Sequence, residues 1–445
     1  MKKLILLIIC FPWILSAQEQ SIEAYINKHK TVSSAANFLF PYNEELAEND
    51  LVFFGYIHGC ATPQAIEYKL IESLSKHRFR YLMLEVGTAQ AYFLNEYLKT
   101  GNESLLMFAV HYQKFRTSQD ASIQLVEKWR KIYLLNQQLT PESRFIVLGE
   151  EQTMAPNDPS LSITYLAHIA PANTGIPMID SLQYFKNTDI LEINILSGKP
   201  ALASARSTGK AMYDFVYPTN SKYHFGRRFI KYYKENKEEV FAAFKGYRTQ
   251  VRRTLEYVRE RREDVLHNNF QEEVAPLIKK GGKVFATYGY THVLQGPING
   301  YDYLAGMVKK SSPSIKSTTI LGILARSNAM NERKLRKEGT VIGPTGLAFD
   351  RISYKGYSTS RSYEGDALFE RLEGINALKK AAKKQEILTL SLAKEETPFN
   401  NGLTFIKNKI GPKYWKPDTS LSTLDYIQYV IYMQYSEAAI PFEEM

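Results

Sequence analysis

The stretch DLVFFGYIHG, residues 50–59, decides the fold class, because a short continuous apolar run leads into a glycine and then, three residues later, into His58. An apolar run of this length with polar and glycine boundaries predicts a buried strand, since it is too short for a core helix. KVFATYGYTH, residues 283–292, repeats the pattern and places His292 three residues after its own glycine. The sequence therefore predicts two buried strands that end in the same Gly-x-x-His motif.

Helical patterns follow and precede these strands. TPQAIEYKLIESLSKH, which begins four residues after His58, has a proline near its start and apolar residues at helical spacing. Three further apolar runs predict strands, at residues 79–87, 144–152 and 318–325. Alternation of strands and helices predicts an α/β fold, with a mainly parallel sheet flanked by helices.

The predicted organisation has three parts. Residues 1–17 are read as a signal peptide and residues 18–325 as the α/β domain. The α/β domain carries a helical insertion at about 155–275, and the C-terminal extension 326–445 has no assigned role. We find no internal repeat apart from the two Gly-x-x-His motifs.

Imidazole or carboxylate side chains lie at or just beyond the carboxyl ends of four of the predicted strands. In parallel sheets, ligands bind just beyond these ends, so such residues are candidates for a site. The candidates are His58, Glu85, Glu150 or Glu151, and His292. We therefore expect these side chains at one edge of the sheet.

These residue types suit hydrolysis of an ester or amide bond. A histidine can take a proton from water near neutral pH, and a carboxylate can fix its tautomer. His58, His292 and Glu85 would equally form a site with two histidines and one carboxylate for zinc, manganese or iron. The sequence alone leaves metal-free and metal-assisted hydrolysis open.

The formal net charge of +10 favours anionic partners only where it is concentrated. The densest basic stretches, 227–239 and 247–264, interleave acids with bases at helical spacing, which is typical of solvated helix faces. We therefore predict a small-molecule or peptide substrate and no nucleic-acid partner.

The first residues, MKKLILLIICFPWILSAQEQ, have the layout of a secretory signal with cleavage after Ala17. We expect an exported protein, in the periplasm, in the cell envelope or secreted, with no transmembrane segment after signal removal. Lipidation at Cys10 stays open. Loss of the signal leaves Cys60 as the single cysteine, so no intrachain disulfide is expected.

Two blocks of the sequence resemble the erythromycin esterase family. LVFFGYIHGCATPQAIEYKLIESLSKHRFRYLMLEVGTAQAYFLNEYL is similar to the opening block of that family, and RREDVLHNNFQEEVAPLIKKGGKVFATYGYTH is similar to its helix and strand that end in the second histidine. The resemblance covers about residues 45–325. The Gly-x-x-His repeats also resemble a wider superfamily with TraB/TIKI-type metalloproteases and ChaN-type haem-binding lipoproteins.

The resemblance implies roles for individual residues. His58 would be the general base that activates water, with Glu85 and His292 as its partners. Arg262 would position the substrate. Further substrate contacts would come from Glu150, Asn269 and Tyr56, the last standing where the family usually has the acid of a Gly-Glu-x-x-His motif.

Two other functions stay open because Tyr56 replaces the acid of that motif. A non-catalytic envelope protein could hold haem or another ligand, with Tyr56, Tyr288 or Tyr290 as an oxygen ligand. A surface interaction protein that has lost catalysis is the third alternative.

Overall fold

The computed structural model describes residues 20–151, 160–186, 222–256, 260–330, 341–342, 348–349, 359–360, 372–408 and 415–441. The predicted signal peptide, with Cys10, lies outside them.

Eight strands of the described chain form one mixed sheet in the order β1-β11-β12-β6-β2-β5-β3-β4. Their bounds are β1 Thr31–Ser34, β2 Leu51–Tyr56, β3 Phe79–Gly87, β4 Ile146–Glu151, β5 Lys283–Gly289, β6 Ser317–Ala325, β11 Glu386–Ser391 and β12 Tyr429–Gln434. The intervening two-residue strands are β7 Ala329–Met330, β8 Val341–Ile342, β9 Ala348–Phe349 and β10 Thr359–Ser360.

The helices begin with residues 20–29. Then follow α1 Asn43–Ala47, α2 Ala61–Ser75, α3 Thr88–Thr100, α4 Glu103–Thr117, α5 Ile123–Gln138, α6 Ser160–Ile169, α7 Pro177–Asp180, α8 Lys222–Glu235 and α9 Lys237–Ala243. The remaining helices are α10 Arg248–Leu255, α11 Arg262–Asn269, α12 Ala275–Lys279, α13 Leu304–Ser311, α14 Ile375–Ala381 and α15 Thr423–Tyr426. A π-helical segment, Phe270–Val274, joins α11 to α12.

The chain divides into two compact units. Of the described residues, the first unit takes those in Met1–Tyr81, Ala275–Ala329 and Thr359–Ala438, and the second takes those in Leu82–Val274, Met330–Ser358 and Ala439–Met445.

In the first unit, parallel pairing joins β2 to β5 and to β6, and joins β6 to β12. β11 is antiparallel to both β12 and β1. All six residues of β2 are buried, as a fully covered parallel strand requires. The prediction of a mainly parallel α/β sheet with flanking helices is thus confirmed. The C-terminal extension, whose role the sequence left unassigned, supplies β11 and β12.

The second unit is mostly helical over the described part of the predicted insertion, and it contains β4. β4 lies close to the end of β3 at Gly149, where an added Cβ would lie 2.6 Å from the backbone oxygen of Gly87. A glycine at this position therefore permits the close approach of the two backbones. None of the described helices combines the length and the apolar composition needed to cross a membrane.

Candidate functional site

The two Gly-x-x-His motifs leave the sheet side by side in the first unit. β2 and β5 are adjacent parallel strands, and their register sets Gly55 opposite Tyr288 and Tyr56 opposite Gly289. The backbone N–H of Tyr290 donates to the carbonyl of Tyr56 at 3.1 Å, so the pairing continues past the last strand residue. The two motifs therefore begin one residue apart in the register of neighbouring strands.

Steric crowding explains why the first motif has a glycine at position 55. A Cβ at Gly55 would lie 2.2 Å from Cγ2 of Val293 and 3.0 Å from Cα of Tyr290, both in the turn that follows β5. Any larger residue at position 55 would therefore push this turn away. The turn carries His292, so the glycine of one motif makes room for the other.

Aromatic side chains lie beside both half-buried histidines. The ring of His58 lies edge-on to Tyr56, with centroids 5.8 Å apart and an interplanar angle of 69°. His292 lies 6.0 Å from the Tyr288 ring and 6.1 Å from the Tyr303 ring. Its backbone N–H donates to Gly289, and its carbonyl accepts from Ala305 in the first turn of α13. We name His58, His292, Tyr56 and Tyr288 the histidine edge.

Tyr56 is bonded to two side chains of α2. Its hydroxyl donates to Oε2 of Glu67 at 3.0 Å and accepts from Nε2 of Gln64 at 3.0 Å. The side chains of all three residues are buried. The family acid is absent at position 56, yet a carboxylate bonds to the tyrosine that stands there. Sequence reasoning missed Gln64 and Glu67, although their spacing of three residues places them on one face of α2.

The tyrosines offer little support for the haem alternative. The Tyr56 hydroxyl already makes two hydrogen bonds within the protein, and Tyr288 is almost fully buried. Burial raises the pKa of Tyr290 to about 12, which opposes the phenolate form that a haem iron binds.

In the second unit, Arg262 joins Glu85, near the end of β3, to Glu151, the last residue of β4. Its Nε and Nη2 donate to the two carboxylate oxygens of Glu151 at 3.0 and 2.8 Å, and Nη2 also donates to Glu85 at 2.6 Å. Burial opposes the charge on Arg262, but Glu151 and Glu85 outweigh it and raise the pKa of the guanidinium. Arg262 and Glu85 are thus engaged with each other, and the predicted substrate and partner roles for them stay predictions.

A second arginine, Arg253, has a buried side chain that joins several acids of the second unit. Its Nη1 donates to Glu273 at 2.6 Å and to Glu150 at 3.2 Å, while Nη2 donates to the carbonyl of Asn269 at 3.0 Å and to Glu272 at 3.3 Å. The basic stretch 247–264 was interpreted as a solvated helix face. That interpretation is wrong for Arg253, whose side chain is only 2% exposed.

Glu150 and Asn269 belong to the same network. Burial raises the pKa of Glu150 to about 8, with Arg253 opposing the shift and Glu273 and Glu272 adding to it. Asn269 Nδ2 donates to the backbone carbonyl of Glu150 at 2.6 Å. Both side chains are enclosed by protein, so their predicted contacts with substrate stay predictions.

The π-helical segment positions the acids of this network. A π turn adds a residue to the helix and rotates the side chains that follow it, and such turns occur frequently at functional sites. Here the consecutive residues Glu272 and Glu273 both reach Arg253. A cavity of about 370 Å³ lies beside them in the second unit, and its lining includes Arg252, Arg253 and Gln271.

The predicted metal ligands do not fit a metal centre in the described part of the chain. No group of three or more His, Cys, Asp or Glu side chains there is arranged to hold an ion. Glu85 is bonded to Arg262, and Glu67, beside the histidine edge, is bonded to Tyr56. We therefore derive no catalytic step through a metal.

The chain is similar in fold to three solved structures. A Bacillus cereus protein shares 13% identity over 95% of this chain and 98% of its own, with a TM-score of 0.54. A succinoglycan biosynthesis protein shares 12% identity over 95% and 98%, with a TM-score of 0.51. A histidine-to-asparagine variant of the erythromycin esterase EreC in its open conformation shares 14% identity over 92% and 98%, with a TM-score of 0.50.

Neither a family model nor a curated protein matches the sequence. The structural similarities extend over nearly the whole of each chain. The resemblance to the erythromycin esterase family is therefore confirmed for the fold.

Proposed function

We propose that this protein is a hydrolase of ester or amide bonds in which His58 activates water. The observation that carries the proposal is the register of β2 and β5, which brings two Gly-x-x-His motifs to the carboxyl ends of adjacent parallel strands. The fold shared with an erythromycin esterase supports the same reaction class by analogy, since one fold can serve many reactions.

The reaction needs one proton acceptor and one proton donor. An unprotonated ring nitrogen of His58 takes a proton from water, and the hydroxide attacks the carbonyl carbon of the substrate. The C–O or C–N bond then breaks, and the protonated imidazole returns its proton to the leaving group. His292, in the turn that follows the adjacent strand β5, is the second imidazole available for this transfer. Glu85 and Arg262 remain predicted participants.

Export belongs to the proposal and rests on the N-terminal sequence alone. N-terminal sequencing of the protein recovered from its producing cells should give Gln18 as the first residue. A chain that retains Met1 would contradict export through this signal.

The test of the function is a hydrolysis assay with p-nitrophenyl esters, lactones and peptide amides. We expect His58→Ala to lower kcat/KM by a factor of about 10² to 10⁴, the usual contribution of a general base, while the unfolding midpoint stays unchanged. His77→Ala is the matched control, since His77 is another half-buried histidine of the first unit and its imidazole lies beside Glu44, which belongs to neither motif. Wild-type rates in a folded His58→Ala variant, or no hydrolysis of any substrate by the wild type, would contradict the proposal.

A further inference from the structure

The segment from Tyr56 to Glu67 folds back on itself around His58. Tyr56 is the last residue of β2, His58 follows in the turn, and α2 begins at Ala61. The first two turns of α2 then return Gln64 and Glu67 to the Tyr56 hydroxyl. The proposed base, His58, therefore belongs to a short segment whose two ends are joined by hydrogen bonds.

The direction of these hydrogen bonds is determined by their chemistry. The hydroxyl of Tyr56 donates its single proton to Oε2 of Glu67. The hydroxyl oxygen can then accept from Gln64, which must present its N–H. In this orientation the Oε1 atom of Gln64 is buried without a hydrogen-bond partner, which costs free energy. The amide is thus held in the orientation that serves Tyr56.

This fixation reaches His58 through the aromatic contact. A tyrosine ring has two side-chain torsions, and two hydrogen bonds at its far end leave the ring little freedom to rotate or tilt. The imidazole of His58 lies edge-on to this ring at 5.8 Å, a geometry that aromatic pairs prefer. A fixed Tyr56 ring therefore restricts the orientations open to His58.

We propose that Tyr56, fixed by Glu67 and Gln64, is a positioning residue for His58. The inference rests on the proposed function, because it assigns to Tyr56 the task of holding the general base in its productive orientation. Tyr56 acts through its ring and takes no part in bond making. Glu67 acts on His58 only through Tyr56, because it accepts the hydrogen bond that orients the phenol.

Two variants remove this fixation, and one conservative variant keeps it. Tyr56→Phe retains the ring and loses both hydrogen bonds, and Glu67→Leu removes the acceptor. Glu67→Gln retains an oxygen that accepts from Tyr56. Glu72→Leu is the matched control, since it removes a carboxylate from the same helix at a position where Glu72 bonds to Tyr68 and Lys69.

The first measurement is an NMR spectrum at fixed pH of the full chain carrying ¹³C at histidine Cε1, with the His58 line assigned from His58→Ala. We expect this line to shift by more than its width in Tyr56→Phe and Glu67→Leu, and to stay in place in Glu67→Gln and Glu72→Leu. The second measurement is hydrolysis, in which the first two variants should lower kcat several-fold at unchanged KM.

The outcomes separate this inference from the proposed function. An unmoved His58 line in folded Tyr56→Phe and Glu67→Leu overturns the positioning role, even if His58→Ala abolishes hydrolysis. If the His58 line shifts in Tyr56→Phe and Glu67→Leu but the wild-type protein hydrolyses none of the substrates, the positioning role stands and the proposed reaction is refuted. If Glu67→Leu does not fold, Tyr56→Phe decides, because phenylalanine preserves the packing of the ring.

Discussion

Replacing Arg262 with methionine is expected to lower the free energy of unfolding by about 3 kcal/mol, the lower end of the cost of removing one partner of a buried ion pair, because the Arg262 side chain itself is 32% exposed. The side chain of Glu151 is fully buried, and Arg262 supplies it with two charge-assisted hydrogen bonds. Methionine fills most of the arginine volume but cannot compensate the carboxylate charge. The cost therefore arises from a desolvated anion that loses its guanidinium.

Urea denaturation followed by circular dichroism measures this effect. Arg261→Met is the matched control, because Arg261 is the preceding residue and pairs with Asp264 on the surface, where such a pair contributes about 1 kcal/mol or less. The double variant Arg262→Met with Glu151→Gln should recover part of the loss, since it removes the buried charge as well. A loss in Arg262→Met no larger than that in Arg261→Met would show that the pair does not stabilise the fold.

Glu150→Gln is expected to leave stability nearly unchanged at pH 5 and to increase it at pH 9 by a few kcal/mol. In the folded chain the pKa of Glu150 is raised to about 8, whereas an unfolded glutamate has a pKa of about 4.3. The folded chain therefore holds a proton that the unfolded chain releases. The stability from this proton is complete below about pH 4 and is lost as the pH rises through 8.

Glutamine cannot ionise, so the variant avoids this loss. Arg253 still bonds to Glu273 and Glu272 in the variant. The measurement is a set of urea unfolding curves for wild type and variant between pH 5 and pH 9. Glu260→Gln, the same change at an exposed position of the second unit, should show no such pH trend. Equal effects of Glu150→Gln at both ends of the pH range would be evidence that Glu150 is ionised throughout.

The sequence predicted the fold class and the two Gly-x-x-His motifs because both depend on local patterns. Continuous apolar runs that end in glycine identified β2 and β5, and helical periodicity identified the segments between strands. Because ligands bind beyond the carboxyl ends of parallel strands, His58 and His292 were then predicted to be site residues. The structure sets these motifs on neighbouring strands, which the order of strands in the sequence does not reveal.

The partners of these residues could not be predicted because they depend on how helices are rotated against the sheet. Glu67 is one of two acids on α2, and only the packing of the helix selects it for Tyr56. Arg253 lies in a stretch of alternating charges that is typical of an exposed helix, yet the π-helical segment brings acids to it and the chain buries it. Neither contact has a signature in local spacing.

The position of β12 in the sheet has a consequence for how the chain is made. β12 lies between β6 and β11, so β6 has only one neighbour in the sheet until residues 429–434 leave the ribosome. In the finished protein eight of the nine residues of β6 are buried, and an apolar edge of this kind readily pairs with other chains. β1, near the start of the chain, likewise cannot form its pairing with β11 until β11 has been synthesised. Nascent and truncated chains therefore carry an open, aggregation-prone edge that only the last strand closes.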